Sequence, residues 1–110
     1  MGTSFQQLRK MLNIACPEAG KQYKLEFKNC FGAVAGYADG NIFCARGKFG
    51  FALKLPGEKI NLLIKKGAKP LRYFPNGHVK KEYAVLPEEI LHDKKQLKEL
   101  VVASIRFVTD

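Results

Sequence analysis

The stretch from residue 23 to 55 constrains the fold most. Residues 23 to 28, Tyr-Lys-Leu-Glu-Phe-Lys, alternate apolar and charged with period two, the signature of a strand with one face buried. Residues 33–38 and 41–46 flank Asp39-Gly40, a pair suited to the positive φ of a tight hairpin. Gly47-Lys48 then turns the chain into a further run, 49–55. The expectation is a meander of four strands.

In that last run Phe49, Phe51, Leu53 and Leu55 share one face, and Gly50, Ala52 and Lys54 share the other. Small residues recur at Ala33, Ala35, Gly36, Ala38 and Ala45, so the sheet should have a bulky side and a slim side. A slim side lets another backbone approach closely. Either a helix of this chain or a second subunit in a homodimer would fill it, and the intrachain helix is the favoured filling.

Helical signals lie outside this block. Phe5, Leu8, Leu12 and Ala15 recur at helical spacing and predict a helix over 4–15, capped by Thr3 or Ser4 and stopped at Cys16-Pro17. Residues 57–66 read as a short helix with Ile60, Leu63 and Ile64 inward, Glu58 in its first turn and Gly67 as its stop. Strands over 71–74 and 79–86 follow, joined through Pro75-Asn76-Gly77-His78. Pro87-Glu88-Glu89 opens a helical turn, and Asp93 with Gln96 resembles a capping box. The closing helix buries Leu97, Leu100, Val101 and the 104–108 stretch, with Lys94, Lys95 and Lys98 outside. The order is αββββαββαα, which predicts a two-layer α+β domain with a mostly antiparallel sheet and helices packed on it. One domain over 1–110 is expected.

The chain carries 19 Lys and Arg against 10 Asp and Glu, for a net charge of +9. Residues 40 to 81 hold ten basic side chains (Arg46, Lys48, Lys54, Lys59, Lys65, Lys66, Lys69, Arg72, Lys80, Lys81) and a single acid, Glu58, so this segment accounts for the whole excess. Such a segment favours an anionic partner: nucleic acid, an acidic protein face or a phosphorylated ligand. Lys outnumbers Arg 15 to four, whereas readers of phosphates and base edges favour the planar Arg fork, which weakens the nucleic-acid reading. No apolar run is long enough to span a membrane, the N-terminus has no export pattern, and the three cysteines are too few and too odd in number for a disulfide framework. A cytoplasmic protein without a membrane partner is expected.

Chemistry-bearing patterns are sparse. His78 and His92 are far apart and no CxxC or HxxxH occurs, so no metal or other cofactor is expected. Cys30 and Cys44 facing each other across neighbouring strands, with His78 as base, would form a thiol nucleophile, but buried structural thiols explain them better. Glu88 and Glu89 suit a helix start rather than an acid–base pair. Residues 32–36 lack the Lys-Ser/Thr ending of a phosphate loop. Catalytic residues are therefore not expected. Lys54, Arg72, Lys80 and Lys81, interleaved with Tyr73, Phe74 and Tyr83, are the candidates for gripping an anionic partner. Tyr73 and Tyr83 alternate with charged neighbours as half-buried strand residues do, however, and core packing explains the aromatics better.

Phe31-Gly32, Gly36-Tyr37, Asp39-Gly40, Leu53-Lys54, Pro70 with Tyr73, and Leu86-Pro87 before a closing helix together resemble the N-terminal domain of the TfoX/Sxy family over about 25 to 108. The resemblance implies a two-layer α+β fold like that of secretion chaperones and the related MmcQ/YjbR proteins. It implies kinship with bacterial competence regulators that co-activate transcription, and it supplies no catalytic residues. This chain ends at Asp110, where full-length regulators of the family continue into a helical C-terminal domain, so a stand-alone form is expected. The function implied is a non-enzymatic regulatory or interaction module working through protein contacts, with the transcription machinery as partner. Direct nucleic-acid binding by the 40–81 segment and a small-ligand site on the slim sheet face are the alternatives.

Overall fold

The computed structural model describes residues 4–30, 32–72 and 79–109. The expected Asn76-Gly77 turn and the aromatics Tyr73 and Phe74 lie outside them, as do His78 and the cap at Thr3.

The chain opens with α1 (Ser4–Ala15) and a single turn, α2 (Ala19–Gln22). Leu8, Leu12 and Ala15 bury one stripe of α1. Each fully buried Leu contributes about 1.5–3 kcal/mol. The turn α2 was not expected, and it displaces the first strand. Tyr23 donates its N–H to the Ala19 carbonyl at 2.9 Å, so β1 begins two residues late, at Leu25–Cys30.

The meander follows as β2 (Ala33–Ala38), β3 (Asn41–Gly47) and β4 (Gly50–Lys54), each antiparallel to the one before. Asp39 and Gly40 take φ of 49° and 85°, the left-handed pair that an Asp-Gly hairpin turn requires. The Asp39 carboxylate also accepts the Lys24 N–H at 2.8 Å. α3 (Gly57–Lys65) leads into β5 (Lys69–Arg72) and β6 (Val79–Val85), and α4 (Glu88–Leu91) and α5 (Lys94–Thr109) close the chain. The sheet order is β1-β2-β3-β4-β6-β5, so β6 returns between β4 and the edge strand β5. The Leu55 N–H donates to Glu82 O at 3.0 Å and the Leu86 N–H to Phe51 O at 2.9 Å, extending the β4–β6 join beyond its ladder.

One apolar cluster unites buried residues of α1, α3, α4 and α5 with Val34, Cys44, Phe51, Leu53 and Ala84 of the sheet. The helices therefore lie on the bulky face, not on the slim one that the small residues suggested. Phe51 and Leu53 remove far more apolar area from water than alanines do, so the helical layer follows them. Ala33, Ala35, Ala45 and Ala52 are buried but stand outside that cluster. Pairing aligns Lys28, Ala35, Ala45, Ala52, Val85 and Lys69 in one row across all six strands.

Three side chains depart from the expected pattern. Phe49 belongs to the two-residue turn between the paired Gly47 and Gly50, so it leaves the period of β4. A Cβ on Gly47 would stand 3.0 Å from the Phe49 ring and 3.0 Å from Ala33 Cβ, which places that ring over the slim side. Ile64 is 39% exposed and Phe107 42%, although both sit beside the apolar stripes of their helices. The capping expectation at α5 holds in its backbone half: the Gln96 N–H donates to the Asp93 carboxylate at 3.1 Å.

Candidate interaction surface

The segment with the charge excess is continuous in sequence but divided in space. Arg46, from the end of β3, lines a groove of about 620 Å³ between α1 and the start of α5, beside Lys10, Ile14 and Glu88. Lys54, at the end of β4, lines a second groove of about 670 Å³ with Tyr37, Glu82 and Phe107. Lys59, on α3, lines a third of about 470 Å³ facing Lys95, Lys98 and Arg106 of α5. Strands and helices that leave the same segment in different directions disperse its field around the molecule.

Of the four candidates, Lys54 is described in full. Its ammonium pairs with the Glu82 carboxylate at 3.3 Å, with 27% of the side chain exposed. Arg72, Lys80 and Lys81 are placed by their backbone: Arg72 opposite Val79, and Lys80 opposite Leu71, in the β5–β6 pair. Their side chains lie outside the described residues. The β4-β6-β5 order gathers the backbones of all four on three adjacent strands, with Lys54 opposite Tyr83. Burial and the neighbouring Glu82 push the Tyr83 phenol up to about 12.

The thiol arrangement weighed from sequence is not assembled. β1, which ends at Cys30, is separated from β3, which carries Cys44, by the whole of β2. Cys44 is fully buried, and burial drives its thiol well above the ordinary range, opposed only in part by a hydrogen bond with the Gly36 backbone. Such a thiol is inert as a nucleophile at neutral pH. Burial also raises the Cys16 thiol, whose sulfur lies 3.9 Å from the Glu18 carboxylate. Among the described residues no three His, Cys, Asp or Glu side chains are grouped to hold a metal ion, and no helix is long and apolar enough to cross a membrane.

The α3–α5 groove was not legible in the chain. Lys95, Lys98 and Arg106 belong to the part whose charges sum to zero, and only the packing of α5 against the sheet beside α3 brings them to Lys59. Glu99 is the one acid on this lining, and the half-buried Val102 and Ala103 form its floor. The Lys98 ammonium also reaches Glu18 at 3.4 Å, in a pair about half exposed on both sides.

No curated protein and no solved structure matches the chain in sequence or fold comparison. The model of the TfoX N-terminal domain does match, over residues 20–108, from the single-turn helix before β1 to the penultimate residue of α5. That span takes in all six strands and the helix that closes them, and on it the chain belongs to the TfoX N-terminal domain family, a family of competence- or regulator-like modules not known for catalysis.

Proposed function

We propose that the protein is a non-enzymatic regulatory module that acts through protein contacts, with components of the transcription machinery as its partners. The family match across the whole sheet carries this reading. The surface supports it: cations border grooves lined in part by apolar side chains, Ile14 stands 56% exposed in the first of them, and Leu62 of α3 is 59% exposed. Apolar patches rimmed by charge suit protein partners better than small substrates.

Affinity capture tests the reading. Purified RNA polymerase subunits and transcription factors should be retained by the immobilised chain above the level held by an unrelated basic domain of equal net charge. Equal retention on both would overturn it.

A second reading is favoured by the strand order, which sets the backbones of Lys54, Arg72, Lys80 and Lys81 on adjacent strands. If these four neutralise phosphates, log K for a nucleic acid should fall with log salt at a slope of about −3.6. A flat salt response, or no binding at low salt, rejects it.

A further inference from the structure

We propose that the groove between α3 and α5 is the docking site for an acidic, amphipathic peptide segment of a protein partner. The proposal rests on the reading that the chain works through protein contacts, and it assigns those contacts a place and a chemistry.

Lys59 approaches from α3, and Lys95, Lys98 and Arg106 from α5, with Glu99 as the single opposing charge. On α5, residues 95, 99, 102 and 106 follow the i, i+4, i+7, i+11 spacing of one helical stripe. At 1.5 Å per residue that stripe is roughly 16 Å long, enough for about three turns of a docked helix. Its ends, Lys95 and Arg106, are cationic; between them stand Glu99 and the apolar Val102, with Ala103 beside it. Leu62, three residues beyond Lys59 and so on the same side of α3, is 59% exposed and offers an apolar contact beside that cation.

A ligand complementary to this lining carries carboxylates at its flanks and apolar side chains between them, as an amphipathic acidic helix does. The Lys98–Glu18 pair does not close the site. An exposed pair of this kind is worth about 0–1 kcal/mol, so an incoming carboxylate can replace Glu18. Single-stranded nucleic acid is the poorer fit. Its affinity draws on aromatic platforms, and the described lining holds none.

The probe is a fluorescein-labelled 12-residue peptide of repeated Glu-Leu-Leu-Glu, followed by anisotropy at low salt. Lys59→Glu with Arg106→Glu should weaken binding about tenfold or more, and Lys48→Glu with Lys69→Glu, the same charge change on the β3–β4 turn and the edge strand, less than about threefold. Leu62→Asp should weaken it without altering the cation set. All five positions are exposed, and circular dichroism melts verify the fold of each variant. Equal losses in the two charge-reversed pairs, no loss in the Lys59/Arg106 pair, or tighter binding of a 12-nucleotide oligothymidine than of the peptide would overturn the proposal. Failure of the broader reading looks different. Transcription proteins held equally well by the Lys59/Arg106 variant would remove the groove and leave protein contact standing. A peptide bound through the groove while no transcription protein is captured would keep the groove and remove the partner.

Discussion

The hydroxyl of Ser104 lies 2.8 Å from the main-chain oxygen of Phe43, in the middle of the closed core. It lies 2.7 Å from that of Lys54 as well, so a single proton serves two strand carbonyls. The reason is a bulge in the β2–β3 ladder. Gly36 pairs with Cys44 and Tyr37 with Ile42, leaving Phe43 without a partner in β2. The carbonyl freed there needs a donor, and the one fully buried polar residue among those described supplies it from α5.

Replacing Ser104 by Ala removes that donor and leaves a buried carbonyl unsatisfied. The expected loss in urea unfolding is about 1–3 kcal/mol, with an unchanged m-value. Ser104→Thr, which keeps the hydroxyl, should lose less than Ser104→Val, which has the same shape without it. Equal losses for the two would show that volume, not the hydrogen bond, governs the site.

Gly36 and Cys44 make a second testable pair. A Cβ on Gly36 would stand 2.5 Å from the Cys44 sulfur, while its next neighbours, the rings of Phe27 and Phe43, lie at ordinary contact distances of 3.4 and 3.5 Å. Gly36→Ala alone should cost about 1–3 kcal/mol through overpacking. Cys44→Ala clears the clashing atom, so Gly36→Ala should cost less in that background, and the double-mutant cycle should show favourable coupling. Additive losses would refute the steric account.

These two sites mark where the chain's own pattern stops being informative. The Asp39-Gly40 turn, the helix over 4–15 and the burial of Phe51, Leu53 and Val101 follow from local residue types and periods, and all are present. Phe49 extended an alternating run, but the Gly47–Gly50 pairing ends the hairpin at that point and takes it into the turn. Ile64 and Phe107 are apolar and near the correct phase, but each helix meets the sheet over a strip narrower than its apolar arc. The interaction surface was harder still. Charge counted along the chain cannot register that Lys59 and Arg106, 47 positions apart, border one groove.

The β2–β3 turn depends on two residues in the left-handed region, one of them not glycine. Asp39→Asn keeps a side chain that tolerates φ of 49° and can still accept the Lys24 N–H, so it should be nearly neutral. Gly40→Val places a β-branched residue at φ of 85° and should cost about 1–3 kcal/mol. Thermal melts check both, and a loss for Asp39→Asn as large as that for Gly40→Val would mean that the carboxylate charge, not the backbone, holds the turn.

Tyr83 supplies an alkaline test. Burial, reinforced by Glu82, raises its phenol from the ordinary 10.0 to about 12 in the folded chain. The folded state therefore holds this proton more tightly than the unfolded state does. The stability so gained is complete below pH 10.0 and disappears as the pH rises towards 12. Cys44, raised further by full burial, acts in the same direction once the pH passes the ordinary thiol value of 9.0. Urea midpoints should accordingly decline through this alkaline range. Tyrosinate absorbance should show a late-titrating phase belonging to Tyr83. Tyr83→Phe should abolish the late phase and flatten the decline above pH 10.0, with the Cys44 contribution left in place. A late phase that persists in Tyr83→Phe would assign the buried phenol to another tyrosine and remove the β6 residue from this account.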